Sequence, residues 1–310
     1  MPVALVALSH SPLIGLNDPA QEVLDEVDHA IAGARKFVQE YDPELVVLFA
    51  PDHYNGFFYG KMPPFAIATG ALAVGDFGSA EGEILVDNEA ANTIAKGVLE
   101  RDIDLTISAR MVVDHGFVQP LEMLFGGIQS VPTVPVFVNG VAAPLGPVRR
   151  IRQFGKALGE AAARLDKRVL FLASGGLSHD PPVPILEGAP PRVAEALILG
   201  SPPTPEQRAR GEQRVVQSGI DLAAGTSTRK PLNPEWDNEV LDIVASGDIE
   251  QFDGWTNEFF EEQGGGSSHE VRTWIAAYAA LAASGSYELQ SRYYRAIPEW
   301  VAGFAVTTAK

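Results

Sequence analysis

Short apolar runs rich in Val, Leu and Phe alternate along the chain with longer stretches whose apolar positions recur every three or four residues. The first pattern suits strands buried on both faces and the second suits amphipathic helices. Their alternation predicts an α/β fold, with a largely parallel central sheet flanked by helices. The clearest predicted strands are "VALVALS" from Val3, "ELVVLFA" from Glu44, "VPTVPVFV" from Val131 and "RVLFLAS" from Arg168. Each runs into a polar or glycine-bearing loop. A first helix is expected to open at "NDPAQE", with Asn17 or Asp18 as cap and Pro19 in the first turn. Val23, Val27, Ile31, Ala34 and Val38 mark its buried stripe. Further helices are expected over about 87–100, 146–165, 204–224, 234–245 and 267–283. Strand patterns thin out after Leu186, which predicts a more helical C-terminal third, and "GSPPTPEQ" reads as a surface loop that restarts a helix. No repeat, charge block or long linker interrupts the pattern, so 1–310 is expected to be a single domain.

Composition narrows the function. The formal charge of -17, from 40 acidic and 23 basic side chains, provides no basic footprint, so neither nucleic acid nor an anionic membrane surface is an expected partner. The N-terminal run is broken by His10, Ser11 and Pro12 and lacks a basic start, so it reads as a strand rather than a signal peptide. The longest nearly apolar run, "WIAAYAALAA", is too short to span a bilayer, and a cytoplasmic location is the expectation. With no cysteine, any metal must be held by His, Asp or Glu.

Three of the six histidines follow predicted strands: His10 in "VALVALSHSP", His53 in "LVVLFAPDHYNG" and His179 in "VLFLASGGLSHDPP". Ligands in open parallel sheets bind beyond the carboxyl ends of the strands, so imidazoles far apart in sequence are placed to converge there. His115, in "VVDHGFVQP", follows a shorter apolar run and reaches the same rim, whereas His29 lies off the buried stripe of the first helix. Asp52, Asp114 and Asp180 each adjoin one of these histidines and are candidates to orient an imidazole. A satisfied core or surface role is the commoner fate of any single histidine. In "GGGSSHEVRTW", Ser267-x-x-Glu270 fits a capping box, and a cap is favoured over a metal ligand on spacing alone. Two histidines and one carboxylate would suit a non-heme Fe(II) oxygenase or a catalytic zinc site, and the residue types do not choose between them. A metal-free binding protein is the third possibility.

The motifs "LSHSPLIG", "LFAPDHYNGFFYGKMPPF", "VDHGFVQPLE", "ASGGLSHDPPVP", "PLNPEWDN", "SSHEVRTW" and "RYYRAIPEWVAGF" together resemble the class III extradiol ring-cleaving dioxygenases, the group related to the catalytic subunit of protocatechuate 4,5-dioxygenase. The likeness spans nearly the whole chain. It implies Fe(II) held by His10, His53 and Glu270, with His115 and His179 as the acid/base pair. It also implies that the partners are dioxygen and a small catechol, 2,3-dihydroxyphenylpropionate or its cinnamate analogue. A homo-oligomer is expected from the aromatic loops of an acidic protein. Phe57, Phe58, Tyr59 and Phe65 are candidates for a substrate pocket, though core packing or a subunit contact explains them as well. Arg272 is read as solvent-facing and His269 as structural, which leaves the cation for a propionate tail unassigned.

Overall fold

The computed structural model describes residues 3–200 and 203–310. The four apolar runs become β1 (Val3–Leu8), β2 (Leu45–Ala50), β8 (Thr133–Val138) and β9 (Val169–Ser174), every one of them buried except at Val3. They pair in parallel in the order β1-β9-β2-β8, which places their carboxyl ends along one rim. Alternate side chains enter opposite layers. Leu5, Ala7, Val47, Phe49 and Phe171 face one apolar cluster, while Ala4, Val6, Val46, Leu48 and Leu172 face the other. Burying each such Val or Leu contributes roughly 1.5–3 kcal/mol, so a sheet covered on both faces is the stable arrangement for these strands.

The sheet is mixed, which corrects the expectation of a largely parallel one. Five short strands lie between β2 and β8, the first four being β3 (Phe65–Ala68), β4 (Ala71–Val74), β5 (Glu81–Glu83) and β6 (Thr106–Ser108). The first of these pairs antiparallel with β8 and carries β6 at the sheet edge. With β7 (Met111–Val113), β4 and β5 form a separate three-stranded sheet. At the opposite edge β10 (Leu289–Ile297) and β11 (Ala302–Ala309) form an antiparallel pair, and β11 runs antiparallel to β1. The expected helical C-terminal third therefore contains two sheet strands. β10 escapes recognition because it is a half-exposed edge strand of polar and aromatic residues, and edge strands need no continuous apolar run.

One layer of helices comprises α1 (Gln21–Tyr41) and α3 (His115–Phe125), packed against the cluster that contains Val27, Ile31, Ala34 and Val38. The opposite layer contains α2 (Asn88–Leu99), α4 (Val148–Ala162) and, later in the chain, α7 (Pro234–Ser246) and α9 (Val271–Ala282). Between those two pairs in sequence come α5 (Pro191–Leu199) and α6 (Pro205–Ala223), and α8 (Asn257–Gly264) precedes α9. The first helix starts three residues later than Asp18 and has no side-chain cap. Asn17 instead donates to the carbonyls of Val216 and Glu299, and so serves tertiary packing. The Pro-rich loop at Gly200 lies partly outside the described residues, and the helix after it begins at Pro205 under a Thr204–Gln207 capping box.

The packing of α4 on α9 positions the site. A Cβ on Gly155 would lie 2.1 Å from the Ala276 carbonyl oxygen, and one on Gly159 would lie 2.2 Å from that of Ala280. The glycines let the two helix backbones approach closely, and this fixes the height at which α9 begins. Thr273 Oγ1 donates to the Ser174 carbonyl and Trp274 Nε1 to the Gly175 carbonyl, so the start of α9 is tied to the end of β9.

Candidate metal centre

Three loops leaving strand ends meet the starts of α3 and α9 at one point. His10 follows β1, His53 follows β2, His179 follows β9 through Gly175 and Gly176, and His115 begins α3 just after β7. One ring nitrogen from each of His10, His53 and His115 lies within 4.8 Å of the others. The Glu270 carboxylate, one residue before α9, faces this set. Its Oε2 is 3.5 Å from His10 Nε2, and its Oε1 is 3.1 Å from His53 Nε2 and 3.0 Å from His179 Nε2. His10, His115, His179 and Glu270 are buried, and His53 is nearly so.

The outer nitrogens of the rings are anchored, which sets the inner ones. Ser174 donates its hydroxyl proton to the Gly116 carbonyl at 2.5 Å, so its oxygen accepts from His10 Nδ1 at 2.9 Å. His10 thus presents a lone pair on Nε2 to the centre. His53 Nδ1 donates to Asp114 Oδ2 at 3.1 Å, and the same oxygen accepts the His53 backbone N–H at 2.7 Å. His115 donates from Nδ1 to Asp76 Oδ2 at 2.6 Å and from its backbone N–H to Asp76 Oδ1. His179 Nδ1 donates to the Leu177 carbonyl at 3.0 Å. All four imidazoles therefore turn Nε2 toward a common space.

Sequence neighbours do not pair. Asp114 adjoins His115 yet holds His53, and its other oxygen accepts the Gly116 N–H at the start of α3. Asp52, beside His53, instead accepts N–H groups of Asn55, Gly56 and Phe57 and shapes the turn after the histidine. Asp180 accepts the N–H groups of Gly266 and Lys230, linking the His179 loop to the Glu270 loop. Of the three candidates only Asp114 orients an imidazole. Asp76, the partner of His115, lies 39 residues upstream and Ser174 lies 164 residues from His10, so no local spacing could have announced either.

The capping box does not form. Ser267 makes no cap, and the Glu270 side chain turns away from the helix to accept from Gly176 N–H at 3.1 Å as well as from the imidazoles. A Cβ on Gly176 would lie 2.8 Å from the His179 ring, so glycine there lets the loop fold back over Glu270. Arg272 is fully buried rather than solvent-facing, and bonds the Gly146 carbonyl and Asn257 away from the centre. His269 is structural as expected, stacked on Phe260 and facing Glu261. Phe57 stacks on Phe137 and Phe65 on Phe154, both within the core, and none of the aromatic residues 57, 58, 59 or 65 lines the central cavity.

Burial pushes the His10 imidazole down to about 3, although Glu270 opposes the fall. Burial also disfavours a charged His53, but Asp114 and Glu270 together outweigh it and hold this ring well above its ordinary value. The same contest, won by Glu270, raises His179. Glu270 is held well below the usual carboxylate range because the imidazoles around it outweigh its burial. The centre is thus one anionic carboxylate surrounded by Nε2 atoms whose outer nitrogens are fixed. His10, His53 and Glu270 make up two imidazoles and a carboxylate, a donor set that suits a divalent metal with open coordination positions. A cavity of about 190 Å³ opens onto these residues, walled by Pro12, Leu13, Phe77, Pro181, Val183 and Trp300 among others. Two of the non-glycine residues with left-handed backbone, Phe77 and Val301, line it, and strained backbone gathers at functional sites.

The family model described as the catalytic LigB subunit of aromatic ring-opening dioxygenase matches residues 4–305. A 2,3-dihydroxyphenylpropionate/2,3-dihydroxicinnamic acid 1,2-dioxygenase of Rhodococcus jostii (strain RHA1) is 59% identical over 309 residues, covering 100% of this chain and 98% of that relative. Relatives with the same description are 55% identical in Mycolicibacterium gilvum (strain PYR-GCK), over 99% of this chain and 98% of theirs, and 53% identical in Mycolicibacterium smegmatis, over 100% and 99%.

Proposed function

The chain belongs to the family of catalytic LigB subunits of aromatic ring-opening dioxygenases and is an extradiol catechol dioxygenase, and from that premise we propose that it is an Fe(II) enzyme acting on 3-(2,3-dihydroxyphenyl)propionate and its cinnamate analogue. The observation that carries this reading is the approach of His10, His53 and Glu270, remote in sequence, to within 3.5 Å of carboxylate contact. The activity for which the relatives are named supports the substrate. Both atoms of dioxygen enter the product, the bond between one hydroxylated carbon and the carbon bearing the side chain breaks, and a 2-hydroxy-6-oxonona-2,4-dienedioate results.

His10 Nε2, His53 Nε2 and a Glu270 oxygen would hold the metal. Bound Fe(II) supplies Lewis acidity and exchanges electrons between the catechol and dioxygen. Protons remain the work of the protein. His179 has its Nδ1 proton committed to the Leu177 carbonyl, so Nε2 is the atom that takes a catechol hydroxyl proton. His115 has Nδ1 committed to Asp76, so Nε2 is the atom from which a proton returns to the opening ring. The apolar walls shed water and hold the ring flat between Pro and Val side chains. A single catalytic domain over 1–310 and a homo-oligomeric assembly belong to the same proposal. Exposed Ile185, Ile198 and Leu199 around α5 support the assembly.

Metal-free protein reconstituted anaerobically with Fe(II) should take up one dioxygen per catechol and release a yellow ring-opened product, whereas Zn(II)-loaded protein should not. Iron bound stoichiometrically without oxygen uptake, or ester hydrolysis restored by zinc alone, would overturn the reading.

A further inference from the structure

Beyond its four histidines the cavity over the metal centre has mainly apolar walls, and it carries two fully charged side chains among its lining residues, Glu270 at the inner end and Arg214 on α6. Gly211, Arg214 and Val215 are spaced i, i+3, i+4 and turn one face of α6 into the cavity. The helix is pinned on both sides of the arginine. Glu212 accepts the Phe77 N–H at 3.0 Å, and the Val216 carbonyl accepts Asn17 Nδ2 at 2.9 Å. Phe77 in turn packs edge-on against the His115 ring, so the placement of α6 is coupled to the acid/base pair.

Arg214 makes no ion pair or hydrogen bond with any described residue. Outward from it, an adjoining groove is lined by Arg192, Arg210 and Arg214 with no Asp or Glu. In a chain of net charge -17 this is a local reversal of sign at the mouth of the site. A cationic rim leading to one unpaired guanidinium raises the local concentration of anions and offers a bidentate donor to a carboxylate.

We infer that Arg214 binds the side-chain carboxylate of the substrate and sets the preference for anionic over uncharged 3-alkylcatechols. The inference rests on the proposed ring-cleaving reading of the same cavity. With the catechol oxygens at His10, His53 and Glu270, the alkyl tail lies along the apolar wall and its carboxylate meets the guanidinium. Arginine suits this task better than lysine because its planar fork matches both carboxylate oxygens.

The test compares 3-(2,3-dihydroxyphenyl)propionate with uncharged 3-propylcatechol in the Fe(II)-loaded wild type, Arg214→Gln and Arg214→Lys. In Arg214→Gln the ratio of kcat/KM for the propionate to that for propylcatechol should fall about tenfold to a hundredfold, the span of a charge-assisted hydrogen-bond pair. The loss should appear in KM for the propionate, and Arg214→Lys should recover part of it. An unchanged ratio, or equal losses on both substrates with native iron content, overturns the assignment of Arg214. A wild type that cleaves neither catechol overturns the ring-cleaving reading instead.

Discussion

His10, His53 and Glu270 differ from His115 and His179 in what their removal should do. We propose the first three as metal ligands, and His115 and His179, whose Nδ1 atoms face Asp76 and the Leu177 carbonyl, as the groups that move protons from Nε2. His10→Ala and His53→Ala should lose iron outright, as should Glu270→Gln, whose cost to helix stability is nil because no cap is formed. His179→Ala should retain iron and slow turnover by roughly 10² to 10⁴, so iron content beside single-turnover rates separates the two groups. Equal iron loss in all four variants would refute the division. His10, His53, His115, His179 and Glu270, which the fold brings together, were legible as candidates because each sits in a recognisable motif. Asp76 and Ser174 were not, because a hydrogen bond across 39 or 164 residues leaves no trace in local spacing.

At the level of elements, the height of Glu270 depends on how closely α9 can lie on α4. Gly155 and Gly159 face the Ala276 and Ala280 carbonyls at distances that no side chain tolerates. Gly159→Val should therefore push α9 outward, costing about 1–3 kcal/mol of stability by overpacking and weakening iron retention although it touches no ligand. Denaturant midpoints and iron content measured on one preparation check both effects. Retained iron in a destabilised variant would show that the Glu270 loop is held by Thr273 and Trp274 alone. The four central strands were readable from their continuous apolar runs. Helices α3, α5 and α8 were not, since α3 carries an internal proline and the other two are of nine and eight residues, too short for a periodic pattern to stand out.

For the whole molecule, a metal at this site would join residues near both ends of the chain, and binding to the folded form alone raises stability by about 2.7 kcal/mol at a hundredfold excess over Kd. Protons compete for the same atoms. In the metal-free protein His53 and His179 are raised above 6.5 by the acidic groups facing them, so their stabilising charge is fully present below about pH 6.5 and is lost as pH rises through the folded values. His10, pushed down to about 3, acts in the opposite sense and only below pH 6.5. Metal binding needs the deprotonated imidazoles and strengthens over the same rise. The gap in Tm between Fe(II)-loaded and chelator-treated protein should therefore widen from pH 6.5 to pH 8.5 under anaerobic conditions. A gap that stays constant or narrows would show that no imidazole proton is displaced. No described helix is long and apolar enough to cross a membrane.

The order of residues by itself determined the buried parallel strands, the loops that leave them and the residue types able to bind a metal, because apolar periodicity and motif composition are local properties. It misjudged the antiparallel edges contributed by β10 and β11 and the burial of Arg272, and left open the partner of each aspartate, because all of these depend on distant contacts. Glu270 shows the boundary most clearly. Ser267-x-x-Glu270 is locally a cap, and only the arrival of three imidazoles and the Gly176 N–H from other strands gives the carboxylate better partners than its own helix.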